Sequence, residues 1–141
     1  MAPDKLLLLP AFVHVAMVFF TVSRIGAGRV KAARSGAVRI KDVALDNSKW
    51  PEQLRKLGNS YANQFELPVL YYAALALILA TGLADTAAVV LSFAFVATRL
   101  VHAFIHTGTN VVFHRFLAFA SGVTCLFLLW AWFGLRLYVI G

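Results

Sequence analysis

The chain has 141 residues, of which 61% are apolar, and its mean hydropathy is +0.79. A soluble domain of this size has no use for so much apolar surface. Runs of about 20 apolar residues are instead what a helix needs to cross a bilayer. The formal charge is +7, from 13 Lys and Arg against 6 Asp and Glu, but nine of the basic residues fall between Arg24 and Lys56. That placement is the positive-inside pattern of a juxtamembrane loop and excludes a nucleic-acid surface.

Four apolar runs predict four membrane helices, at about 6–25, 60–83, 86–106 and 115–137, which together make residues 1–141 one membrane domain. The expected fold is an all-α integral membrane four-helix bundle. One chain this thin has little interior, which argues for an oligomer.

The first span starts with Pro10 near its beginning, where a proline is best tolerated. His14 lies within it and is expected to make an interhelical hydrogen bond. No cleavage site follows the run, so the span is expected to stay in the mature protein. Arg29, Lys31 and Arg34 fit a helical extension ending near Ser35 and Gly36. Asp46, Asn47 and Ser48 offer turn or cap chemistry ahead of Trp50 and Pro51, and Pro51 suits the first turn of the next helix.

The second span opens with NSYANQFELP. Read as one helix, it puts Asn59, Asn63 and Glu66 on one face, at spacing i, i+4, i+7. Pro68 is expected to kink this helix from within. A carboxylate at the mouth of a span is costly unless it faces protein, water or a ligand, so Glu66 marks a candidate site. The third span ends with RLVHAFIH, which places Arg99, His102 and His106 on one face. Arg99 lies too deep to reach water alone, and Glu66 is the only acid inside a span. The two are therefore expected to interact, directly or through a ligand. Arg115 opens the fourth span, whose far end carries Trp130, Trp132 and Tyr138 as a belt.

The expected topology puts the loop from Arg24 to Lys56 in the cytoplasm and both termini on the other side, in a bacterial inner membrane. Every candidate polar group then gathers at the cytoplasmic end. Cations and amides around one carboxylate suit an anionic ligand that also carries an amine, while the apolar walls suit a lipophilic substrate arriving from the lipid. His102 and His106, at i, i+4, also fit a metal, but His114 is only a loose third ligand, and no metal is assigned. Cys125, the sole cysteine, reads as a small buried hydrophobe.

The segments NSYANQFELP, RLVHAFIHTG and the following HR resemble the MAPEG superfamily, the membrane-associated proteins of eicosanoid and glutathione metabolism. The resemblance implies a homotrimer with glutathione as co-substrate, held between subunits. It implies that Asn63 and Glu66 contact glutathione, that His102 and His106 face it, that Arg99, an interior arginine of span three, belongs to the same binding set, and that Arg29 holds a carboxylate. Arg115 falls on the residue that stabilises the thiolate, and so is the implied catalytic residue. Where family enzymes place arginines ahead of the Asn, this chain has Asn59, Ser60, Tyr61 and Ala62, and His106 stands where a Tyr is usual. The implied function is a glutathione-dependent transferase or peroxidase acting on a lipophilic electrophile. The alternatives are a non-catalytic member that binds a lipid or partner protein, and a polar network that only fixes helix register.

Overall fold

The structure, a computed structural model, describes residues 2–140. Apolar runs become helices because a backbone in lipid must satisfy its own hydrogen bonds. Helix α1 spans Pro3–Arg34, a short helix α2 Ile40–Val43, α3 Glu52–Ala62, α4 Leu67–Ala80, α5 Thr86–Thr107 and α6 Val112–Leu135. Four stretches are long and apolar enough to cross a membrane: Pro3–Arg34, Glu52–Ala80, Thr86–Thr107 and Val112–Ile140. They alternate in direction, so the 24–56 segment and the 108–111 turn share one end, called here the basic end.

Helix α1 has 32 residues. At 1.5 Å per residue it is about 48 Å long, well beyond a hydrocarbon core of about 30 Å. Its last turns therefore project past the span and carry the basic residues, and the chain leaves the helix through Ser35 and Gly36, with Gly36 at φ 73°. Because the helix already starts at Pro3, Pro10 lies two turns inside it rather than at its start. The Leu6 carbonyl thereby loses its helical donor.

The second crossing is not the single kinked helix expected from the sequence. Helix α3 ends at Ala62, a 3₁₀ turn covers Asn63–Phe65, and Glu66 is non-helical at φ −91°, ψ −95°. Pro68 is not a kink within a helix but sits in the first turn of α4. There its missing N–H costs nothing, and it disfavours continuous helix through the residues before it.

Two apolar cores flank this break. One, away from the basic end, joins Leu7 and Ala11 of α1, Tyr71, Ala74 and Ile78 of α4, Phe95 and Val96 of α5, and Leu126, Leu129 and Phe133 of α6. The other joins Ile25 and Ala32 to Leu54 and Leu57. Between them lie buried polar side chains: His14, Ser60, Gln64, Arg99, His102 and His106.

At the far end Asp85 caps α5 by accepting from the Ala88 N–H at 2.9 Å. The same carboxylate accepts from Trp132 Nε1 at 3.0 Å and pairs with Arg136 at 3.5 Å. Trp130 Nε1 donates to the Leu70 carbonyl at 3.2 Å. Two members of the expected aromatic belt thus tie helices together, while Tyr138 is exposed. Only 22 to 33% of each crossing is buried within one chain. Large apolar side chains, Phe12, Phe19, Phe104 and Phe127 among them, are left exposed along the helices.

Candidate functional site

The break at Glu66 is what places the site. His14 Nδ1 lies 2.7 Å from the Tyr72 hydroxyl, and His14 Nε2 lies 3.1 Å from Gln64 Oε1. Gln64 Nε2 donates to the Ser60 carbonyl at 2.9 Å. The acceptor of the second pair is therefore Gln64 Oε1, so His14 carries its proton on Nε2 and accepts from Tyr72 at Nδ1. This chain of bonds, the interhelical role expected of His14, fastens the 3₁₀ turn to α1 and α4. With Gln64 turned inward and buried, its neighbours Asn63 and Glu66 face outward.

A cleft of about 520 Å³ opens there, lined by Asn59, Asn63 and Glu66, by His102 and His106 of α5, and by Arg115, Phe116 and Phe119 of α6. That volume is in the range of small-molecule sites. Asn63 Nδ2 donates to the Asn59 carbonyl at 3.0 Å, which leaves its Oδ1 as a free acceptor. Glu66 is exposed and makes no ion pair within 4 Å among the described residues. Arg115 is half-buried, and its Nη1 donates to Asn110 Oδ1 at 2.9 Å. Asn110 holds a left-handed φ of 54° in the turn between α5 and α6. The rings of His102 and His106 meet edge-on with centroids 5.6 Å apart, and His106 Nδ1 is buried without a partner.

Five of the seven residues singled out from the sequence thus line one cleft: Asn63, Glu66, His102, His106 and Arg115. Arg99 does not. It is fully buried behind the cleft wall, donating from Nη2 to His102 Nδ1 at 3.1 Å, with the Phe119 ring 5.9 Å away. The expected direct pairing of Arg99 with Glu66 is not formed, because Glu66 faces out of the bundle and Arg99 into it.

Arg29 is also elsewhere. Its guanidinium lies over the Trp50 ring at 4.9 Å, in a groove of about 790 Å³ that also carries Arg55 and Lys56. Asn59 and Ala62 line both the groove and the cleft. Sequence reasoning missed Gln64 and Asn110. Neither has a spacing signal: Gln64 acts through its bonds to His14 and to the Ser60 carbonyl, and Asn110 through its bond to Arg115.

Among the described residues no three His, Cys, Asp or Glu side chains converge as a metal set. The cleft combines one free carboxylate, one cation, two side-chain amides and two imidazoles. The exposed apolar side chains of Val112 (68%) and Phe116 (61%) form its lipid-side wall.

Four helices long and apolar enough to cross a bilayer, with a polar cleft at one end, define an integral membrane protein. The chain matches the model of the MAPEG family over residues 7–135, and it belongs to that family. No curated protein and no solved structure matches it. Membership makes it a membrane protein of the eicosanoid and glutathione metabolism type.

Proposed function

We propose that the protein is a glutathione-dependent transferase or peroxidase acting on a lipophilic electrophile. The observation that carries this reading is the meeting, in one cleft, of the unpaired carboxylate of Glu66 with the cation of Arg115. Glutathione, the co-substrate by family resemblance, has an ammonium group for Glu66, peptide N–H groups for the free Asn63 Oδ1, and a thiol that Arg115 can hold as thiolate. Local positive charge favours the ionised sulfur over the thiol and so raises the nucleophile's population at neutral pH. His102 and His106 close the inner wall. Phe116 and Val112 give a lipophilic electrophile an apolar approach.

A homotrimer with the cleft completed by a neighbouring chain fits two features. Large apolar side chains such as Phe12, Phe104 and Phe127 are exposed in one chain, and Arg29, the expected carboxylate ligand, lies outside its own chain's cleft. The cations Arg29, Arg55 and Lys56 take the place of the arginines that family enzymes carry ahead of the Asn. On this reading residues 1–141 act as one membrane domain, with the basic end in the cytoplasm of a bacterial inner membrane.

A second reading, a non-catalytic lipid or partner-protein binder, is favoured by residues 59–62 alone, which bring no cation to the cleft. The two are separated by incubating the purified protein with glutathione and either a lipophilic unsaturated aldehyde or a lipid hydroperoxide. The enzyme reading expects a glutathione conjugate or a lipid alcohol, lost in Arg115→Ala. Turnover no faster than the uncatalysed reaction with every electrophile, from a protein that still binds glutathione, would favour the second.

A further inference from the structure

Arg99 is fully buried, yet it touches no carboxylate and does not line the cleft. Its Nε and Nη1 have no partner. The one bond it makes runs from Nη2 to His102 Nδ1, at 3.1 Å. A guanidinium has no lone pair to offer and does not give up its proton in proteins, so it can only donate. His102 Nδ1 must therefore be the acceptor. The ring proton sits on Nε2, and a second proton on Nδ1 would set N–H against N–H. His102 lines the cleft, and among the described residues the bond from Arg99 to Nδ1 is the only one its ring makes.

We propose that Arg99 is a positioning residue that fixes His102 as an Nε2–H donor to the cleft, so that His102 and Arg115 together bind the anionic group of a ligand whose cationic or amide end meets Glu66 and Asn63. The inference rests on the cleft being the ligand site proposed above. Arg99 is confined to this one role by its surroundings. The Phe119 ring covers one side, and Gly122 of α6 packs against another, where even a Cβ would be in ordinary contact at 3.7 Å from Arg99 Nη1. His102 cannot act as a base through a nitrogen already occupied by Arg99. Its contribution is a directed N–H, polarised by the cation behind it.

The test is side-chain 15N NMR of histidine-labelled, ligand-free protein at neutral pH, with the His102 signals assigned by His102→Asn. The Nε2–H tautomer is expected for His102 in the wild type. It should persist in Arg99→Lys, since an ammonium also only donates, and give way to a mixture of tautomers in Arg99→Met. Glutathione affinity should fall roughly tenfold in Arg99→Met and much less in Arg99→Lys, in line with the loss of a charge-assisted hydrogen bond. An Nδ1–H tautomer or an imidazolium in the wild type overturns the proposal, as does an unchanged tautomer in Arg99→Met. If Arg99→Met does not fold, the wild-type and Arg99→Lys spectra decide. The tautomer is read without ligand, so a wild type with the expected signature that fails to bind glutathione counts against the proposed function and not against the state of His102.

Discussion

Arg115 is aimed by Asn110: the Asn110 side-chain oxygen accepts from Arg115 Nη1 at 2.9 Å, across the turn that joins α5 to α6. Asn is among the few residues that adopt the left-handed φ needed at this point of the turn. Asn110→Gly keeps that backbone and removes the acceptor. We expect it to leave folding intact and to reduce kcat/KM by several-fold, as for other lost orienting bonds. Steady-state kinetics beside a thermal melt check this, and Asn110→Ala should in addition lower the Tm because it strains the turn.

Gly122 lets α6 pack closely on α5. A Cβ there would stand 2.9 Å from Thr98 Oγ1, closer than side chains tolerate. Gly122→Ala should therefore destabilise the bundle by about 1–3 kcal/mol, the usual cost of overpacking. Thr98→Ala in the same chain should recover part of it. Unfolding of the detergent-solubilised single and double variants in denaturant gives the coupling directly.

His14 holds the break in the second crossing from the side of α1. His14→Leu leaves Gln64 Oε1 and the Tyr72 hydroxyl without partners in a buried place, at a cost of about 1–3 kcal/mol. Freeing the 3₁₀ turn should also let Asn63 and Glu66 drift, so glutathione binding should weaken although His14 never meets the cleft. Calorimetric titration of the variant, at a temperature where it remains folded, separates the two effects.

Asp85 gathers an N-cap, the Trp132 indole and Arg136 at the end opposite the cleft. Asp85→Ala should cost about 1–2 kcal/mol, in the upper range for a lost cap, and should leave ligand affinity unchanged. A melt together with a binding isotherm tests both halves of that statement.

These residues also show what could be read before the fold was known. The four crossings were legible because lipid demands apolar runs of a set length, and the resemblance in NSYANQFELP and RLVHAFIHTG led to the family. Asn63, Glu66, His102, His106 and Arg115 were legible because polar groups in such runs are rare. The break was not, since Pro68 reads as an interior kink until the cap geometry of α4 is seen. Arg99 looked like a ligand contact by sharing a helical face with His102, but spacing along one helix does not say whether a side chain reaches the cleft or stops behind it. Arg29 shares the basic end with the candidate site and takes its carboxylate role from the resemblance, but the extension of α1 carries it into the adjoining groove. Gln64 acts through two bonds, to His14 and to the Ser60 carbonyl, and Asn110 through one to Arg115 across the turn, and no periodicity reveals either.

On the proposed reading, Glu66 and Arg115 form a site that binds glutathione as its thiolate. The most direct test is the ultraviolet thiolate absorbance of glutathione titrated into the purified protein in detergent at neutral pH, beside Glu66→Gln and Arg115→Ala. A saturable thiolate signal is expected in the wild type, reduced in Glu66→Gln through weaker binding and abolished in Arg115→Ala. A folded protein that gives no signal with glutathione in excess, or a signal indifferent to both substitutions, would contradict this reading of the cleft.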